Sequence, residues 1–402
     1  MRDAYIVTSV RTPGCRRNKG AFAQTRPEEL LSHILSKAVE MTPGLEKKDV
    51  DDIMIGCAFP EAEQGLNVGR VALLMSGFPV QVSGATVNRF CSSGLEAIAL
   101  SSLRVMAGWS EITMGGGVES MTYVPMGGNL ARPHPDWARE NPTVYISMGI
   151  TAENVANRYN VSREMQDDFA YHSQMKASEA QEKGLYTEIV PTPAVRFVEK
   201  DGKWKKETKL QDFDDGVRST TTMDGLAKLQ PAFAANGSVT AGNSSQTTDG
   251  AAATIIMSEE AVKKYGLKPI AKFKYYTTVG CEPDEMGVGP SVAIPKLMKI
   301  SGMKMDDIGL WEVNEAFASQ AIYCLQKLGL YDKRELWESG SDKRKINIHG
   351  GAIALGHPLG CTGAKLCATL LANMRSRGVK YGVESMCIGG GMGAAALFEL
   401  VE

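Results

Sequence analysis

Gly117-Val118-Glu119-Ser120-Met121 returns, residue for residue, as Gly382-Val383-Glu384-Ser385-Met386, 265 positions later in a chain of 402 residues. A repeat at a fixed offset sets the architecture before any other reading does. Five matching residues are a short coincidence on their own, but the surroundings match as well. Upstream of the first copy lie a strand-like run, Gly84-Ala85-Thr86-Val87, a turn, and a helix-like run over residues 95–107, with Leu95, Ile98, Ala99, Ser102 and Val105 on one face. Upstream of the second lie Lys345-Ile346-Asn347-Ile348-His349, a glycine-rich turn, and a helix-like run over 358–374. Each helix leads through a polar turn to a strand, at 112–114 and at 381–386. Earlier still, Asp51-Asp52-Ile53 precedes an apolar strand ending at Ala58-Phe59, and Asp306-Asp307-Ile308 precedes one ending at Ala316-Phe317. The pattern predicts two similar α/β halves, each a β-α-β layer with buried apolar strands.

The stretch between them differs. Proline, glycine and asparagine are frequent near 125–142, two amphipathic helices follow over 152–159 and 163–183, and the charged run from Val198 to Glu207 reads as a solvated hairpin. The predicted division is a first half at 1–121 plus about 250–272, an inserted loop domain at about 122–249, and a second half at about 273–402.

Apolar content of 43%, charged content of 22% and a net charge of −2 are those of an ordinary globular protein, and point away from nucleic acid or an anionic membrane as partner. No apolar run reaches the roughly 20 residues that span a bilayer. The chain opens Met1-Arg2-Asp3-Ala4-Tyr5-Ile6-Val7, directly into a strand, without a signal or transit pattern, which predicts a cytoplasmic protein with reduced thiols. Its eight cysteines form no Cys-x-x-Cys pair, so no zinc or dithiol motif is present and no metal is expected.

Four strand ends carry chemistry. Cys91, in Asn88-Arg89-Phe90-Cys91-Ser92-Ser93-Gly94, sits where a strand gives way to a helix. The free amides of a first turn favour thiolate over thiol, so this is a place for an attacking sulfur. A lone cysteine is more often a small apolar filler. His357, in the glycine-rich run 350–363, precedes Pro358, which suits a first helical position, and places a histidine at the matching junction of the other half. The run lacks the Lys-Ser/Thr of a phosphate loop; it is either close packing or a base that ionises a thiol. Cys387 ends a strand before Gly389-Gly390-Gly391, where bare amides can serve an oxyanion hole and a thiol can move protons; a tight hairpin is the plainer reading. Asn314, in Val313-Asn314-Glu315-Ala316-Phe317, can orient a water or cap a helix. His33, His134 and His172 read as structural or surface residues. Sheets of this class collect their sites at the carboxyl ends of strands, which favours the chemical reading of all four.

Across essentially its full length the sequence resembles the thiolases, acyl-CoA:acetyl-CoA C-acyltransferases. The resemblance rests on Ser9-Val10-Arg11-Thr12-Pro13, residues 88–94, Gly115-Gly116-Gly117-Val118-Glu119-Ser120-Met121, Asn314-Glu315-Ala316-Phe317, residues 350–363 and residues 387–393. It implies a five-layered α-β-α-β-α core with the inserted loop domain. It implies that Cys91 carries the acyl group as a thioester, that His357 is its base and a donor to the thioester oxygen, and that Cys387 is the acid/base for the enolate and the incoming CoA thiol. Asn314 would hold the water of a first oxyanion hole, and the amides of Cys91 and Gly389 would form a second. Ala241-Gly242-Asn243-Ser244-Ser245 resembles the pantetheine loop, with Ser245 in contact. Arg218 matches a position near the adenine end, Ala232 and Phe233 match positions along the cofactor, and Met148 matches one beside the acyl pocket. No metal or prosthetic group is implied, only CoA and acyl-CoA as substrates. A homodimer or homotetramer is expected, with association with other β-oxidation enzymes open.

Two departures bear on specificity. Ser147-Met148-Gly149 stands where acetoacetyl-CoA thiolases have His-Met-Gly, and Gln246 and Thr247 stand where those enzymes have smaller or apolar residues. Both lean toward a degradative 3-ketoacyl-CoA thiolase over an acetoacetyl-CoA-specific acetyltransferase. Two rivals share the scaffold: a decarboxylating ketoacyl synthase, which uses two histidines and for which His349 would be the second, and a catalytically silent acyl-CoA or lipid carrier.

Overall fold

A computed structural model describes residues 1–401. The strands are β1 (Ala4–Arg11), β2 (Cys15–Arg16), β3 (Asp52–Gly56), β4 (Ser83–Val87), β5 (Ile112–Ser120), β6 (Thr192–Lys200), β7 (Lys203–Gln211), β8 (Thr248–Met257), β9 (Ala271–Gly280), β10 (Leu310–Val313), β11 (Tyr381–Ile388) and β12 (Met392–Leu400). In the first half β4, β3 and β5 run parallel, then β5, β8 and β1 antiparallel. In the second, β10 and β11 run parallel, then β11, β12 and β9 antiparallel. The two layouts match strand for strand, and the repeated pentapeptide occupies β5 and β11. Only the counterpart of β4 is reduced, to a single bridge between Trp311 and Ile346.

The sheets of the two halves are not wholly separate layers. Ala4, Tyr5 and Ile6 of β1 pair with Phe273, Lys272 and Ala271 of β9, giving one hydrogen-bonded path from β10 to β4. The β1–β9 pairing stops at Ile6, beside a bulge between Ile6 and Thr8 in the β1–β8 ladder. Two helices, Ser93–Met106 and Leu359–Arg377, fill the space between the two sheets. The second is buried at every residue from 359 to 371, as a helix between two sheets must be. Helices Pro27–Glu40 and Gly289–Ser301 cover the outer faces. The order is helix, sheet, helix pair, sheet, helix.

Glycine sets how close the central helices come. A Cβ on Gly94 would lie 2.7 Å from the amide nitrogen of Ala364, and one on Gly363 would lie 2.3 Å from that of Leu95. The two helices therefore touch backbone to backbone near their N-terminal ends. Between β5 and β8 the chain forms helices Met148–Arg158 and Arg163–Glu182 and the charged hairpin β6–β7. Among the described residues no helix is long and apolar enough to cross a membrane.

Candidate active site

Cys91 and His357 each stand two residues before a central helix, Ser93–Met106 and Leu359–Arg377. Pro358 is the cap of the second helix, so the helix begins one residue later than the sequence reading placed it. The helices meet at Gly94 and Gly363, and the turn that carries Cys91, Phe90–Ser92, lies against the second helix. Cys91 packs with Ala58, Met121 and Leu359, and against Phe59 and Met148. Cys387, at the end of β11, packs with Ala152, Met286, Ala316 and Phe317, and against the same Met148. Met148 thus joins the two thiol pockets. The turn after β11 closes the space: a Cβ on Gly389 would lie 3.7 Å from the ring of Phe90 and 3.8 Å from the sulfur of Met148. Phe90 itself holds φ of +42°, a left-handed conformation that costs energy for an aromatic residue and aims the next side chain, Cys91, inward.

The amides of Gly389 and of Cys91 itself point at the Cys91 sulfur. They lower its pKa, but burial is the larger effect and pushes the thiol up to about 11. The expectation that a helix start would leave a ready thiolate is therefore corrected: the resting sulfur is protonated. A helix end contributes about 0.3–1 kcal/mol, less than one pKa unit, whereas burial can shift a group by several units. Cys387, fully buried with Cys91, Cys324 and Cys281 nearby, is pushed well above the usual thiol range and also rests as S–H.

His357 is held by a short hydrogen-bond chain. Thr362 Oγ1 lies 2.6 Å from His357 Nδ1 and donates to the Pro358 carbonyl at 3.0 Å. A hydroxyl has one proton to give, so it accepts from Nδ1–H, which leaves Nε2 unprotonated and an acceptor. Asn314 Nδ2 lies 3.4 Å from that Nε2, and Asn314 Oδ1 is buried without a partner. A buried acceptor beside the histidine is where a water would bind. Burial, with Lys365 second, depresses His357 to about 3, so the imidazole is neutral. Lys365, itself buried, donates to the carbonyls of Leu355 and Gly356 at 2.7 and 2.9 Å and so ties down the loop that ends in His357. Thr362 and Lys365 were not picked out from the sequence; a threonine four residues after the proline of a helix start was the available signal.

His349 lies elsewhere. It packs edge-on to the ring of Tyr186 at 5.9 Å, with Arg344 and Arg377 facing it, and carries no sign of a second catalytic histidine. His33 bonds the Pro191 carbonyl, His134 caps a helix at Trp137, and His172 bonds Ser339.

The residues matched to CoA contacts fall into two groups. Arg218 and Ala241 line one cleft of about 470 Å³ with Gln174, Thr222, Leu229 and Gln246. Phe233 and Met148 stand nearer the thiols. The Phe233 ring lies so close to Gly149 that a Cβ there would sit 2.0 Å from it, and it meets Phe317 edge-on at 5.9 Å. Ser245 links the groups, since its amide donates to the carbonyl of Ala316 at 2.9 Å and Ala316 packs on Cys387. Ala232 pairs with Val239 in the loop that leads into Phe233.

Residues 4–260 match the thiolase N-terminal domain and residues 267–400 the thiolase C-terminal domain. The chain belongs to the thiolase family. It is 46% identical over 402 residues to the 3-ketoacyl-CoA thiolase of Bacillus subtilis (strain 168), covering 100% of both chains. To the peroxisomal 3-ketoacyl-CoA thiolase A of Mus musculus it is 46% identical, over 99% of this chain and 91% of that one. Among solved thiolase folds, the Bacillus anthracis acetyl-CoA acetyltransferase superposes with a TM-score of 0.87 at 36% identity, covering 100% of this chain and 99% of that one. The dimeric peroxisomal thiolase of Saccharomyces cerevisiae gives the same TM-score and identity, over 99% of this chain and 97% of that one. This thiolase therefore shares family, fold and full-length layout with acyltransferases.

Proposed function

We propose that this thiolase cleaves 3-ketoacyl-CoA with CoA, giving acetyl-CoA and a shortened acyl-CoA, and runs the reverse Claisen condensation on the same site. The single observation that carries the reading is the convergence of two protonated, buried thiols, Cys91 and Cys387, with donor amides aimed at the first and a neutral imidazole whose Nε2 is unprotonated. His357 Nε2 takes the proton of Cys91 as the sulfur attacks the 3-keto carbon. The bond between the second and third carbons breaks, and Cys387 protonates the departing acetyl-CoA enolate. The resulting Cys387 thiolate accepts the proton of incoming CoA, whose sulfur attacks the acyl-Cys91 thioester. Cys91 leaves and regains its proton from His357. Acceptor and donor roles alternate between two residues, as covalent ping-pong chemistry requires. The amides of Cys91 and Gly389 stabilise one developing oxyanion, and His357 with a water on Asn314 stabilises the other. CoA is a substrate, and no step calls on a metal or prosthetic group.

The Ser147-Met148-Gly149 departure and the 3-ketoacyl-CoA thiolase names of the relatives at 42–46% identity favour broad 3-ketoacyl substrates over acetoacetyl-CoA alone. A homodimer is proposed across β4, whose outer edge is unpaired in the sheet, in line with the dimeric yeast relative. The test is thiolysis over an acyl chain-length series, with mass spectrometry of Cys91. Cleavage of substrates longer than acetoacetyl-CoA with an acyl adduct on Cys91 is expected. Cleavage of acetoacetyl-CoA alone would assign an acetyltransferase, and unchanged turnover in Cys91→Ala would overturn the mechanism.

A further inference from the structure

Glu119, the acid of the first repeated pentapeptide, is fully buried on β5. Its Oε2 accepts from the amides of Ala58 and Gly360, both at 2.7 Å. Its Oε1 accepts from the amide of Phe59 at 3.3 Å, from the Cys57 thiol at 3.8 Å and from the side-chain amide of Gln64. Every one of these partners is a donor, so the geometry is that of an anion. The fit leaves no slack, since a Cβ on Gly360 would sit 2.6 Å from Oε2.

The partners belong to two different arms. Ala58 and Phe59 belong to the apolar cluster around Cys91, and the Ala58 carbonyl accepts from Asn88, whose own side chain accepts from the amide of Phe90. That arm ends on the nucleophile. Gly360 lies in the first turn of the helix that His357 precedes, next to Leu359, which also packs on Cys91. That arm ends on the base. Thiols face the carboxylate from three elements: Cys57 after β3, Cys91 before one central helix and Cys361 in the other. Burial lifts Glu119 to about 7; the Cys91 thiol is held up first by its own burial, and the Glu119 charge adds a smaller push in the same direction. The repeat offers an internal control. Glu384, at the same place in the second half, is equally buried but has no hydrogen-bond partner on either oxygen among the described residues. The symmetric fold keeps the residue, yet only the first copy is given donors.

We infer that Glu119 is a positioning residue for acyl transfer, a buried carboxylate that fixes the loop behind Cys91 to the helix behind His357 and sets its negative charge near the nucleophile. The inference rests on the reading of Cys91 and His357 as nucleophile and base. Two variants separate reach from charge. Glu119→Gln keeps the shape and loses the charge; Glu119→Asp keeps the charge and loses the reach. Both should lower kcat at least tenfold with little change in KM for acyl-CoA. Only Glu119→Gln should speed alkylation of Cys91 by iodoacetamide at pH 8, by about tenfold for each pH unit by which the thiol pKa falls. Alkylation is read by mass spectrometry without substrate, so it reports on Glu119 even if the proposed thiolysis is wrong. Wild-type kcat in either variant, or an unchanged alkylation rate in Glu119→Gln, would overturn the inference. If Glu119→Gln does not fold, the kcat of Glu119→Asp decides it.

Discussion

Replacing Thr362 by valine removes one hydroxyl and almost no volume. In the folded protein that hydroxyl accepts from His357 Nδ1–H at 2.6 Å and passes its own proton to the Pro358 carbonyl. Valine would leave Nδ1–H without an acceptor in a fully buried site. A stranded buried donor costs about 1–3 kcal/mol. The imidazole can escape that cost by moving its proton to Nε2, once the Asn314 amide turns to offer its otherwise unpartnered Oδ1 in place of Nδ2, and in that tautomer it cannot accept the Cys91 proton. The fraction of enzyme with a competent base should therefore fall by the same free energy, roughly 5- to 150-fold. The expected result is a kcat for thiolysis lower by one to two orders of magnitude, with KM for CoA little changed because Thr362 touches no substrate. Thr362→Ser restores the hydroxyl and should recover most of the rate. A Thr362→Val enzyme with wild-type kcat would refute the tautomer assignment, and with it the role given to the unprotonated Nε2.

Two further outcomes follow from the same geometry. With Cys91 raised to about 11 by burial, alkylation of the free wild-type enzyme by iodoacetamide should climb about tenfold per pH unit from neutrality, with no plateau below about pH 10, because only the thiolate reacts; a plateau near pH 7 would mean that His357 already holds the proton at rest. Gly363→Ala puts a methyl 2.3 Å from the Leu95 amide and should force the central helices apart, costing about 1–3 kcal/mol in a denaturant melt and lowering kcat as Cys91 and His357 separate; a wild-type midpoint would show that the helices do not meet there.

The sequence made the two halves visible because a pentapeptide survived in both, and it made Cys91, His357, Asn314 and Cys387 visible because each ends a strand or opens a helix. What it hid has physical causes. The sequence pattern predicts a strand only at 112–114, yet Gly115, Gly116 and Gly117, of a residue type poor in strands, form the middle of β5. A Cβ on Gly115 would lie 2.6 Å from the Cα of Ile98, and one on Gly117 would lie 2.4 Å from the carbonyl of Gly360, so the strand is glycine because helices press on it. The ionisation of Cys91 was hidden because helix ends can be read from local sequence but burial cannot. Thr362 and Lys365 act on His357 through side-chain bonds a helical turn or more away, which no spacing rule singles out.

The seam between β1 and β9 also governs how the chain must be made. β1 contains Tyr5, which pairs with Met257 on one side and Lys272 on the other. At translation rates of about 5–20 residues per second, the first strand waits roughly 10–50 s for either neighbour to leave the ribosome. Through that interval its apolar face is open, and the long sequence separation makes closure slow even afterwards. Synthesis halted before β9 would leave a chain whose first strand lacks one neighbour, with a raw sheet edge available to any other strand. The two halves that look like tandem copies are thus obliged to finish folding together, and quality control in the cell would meet this protein as a single late-closing unit.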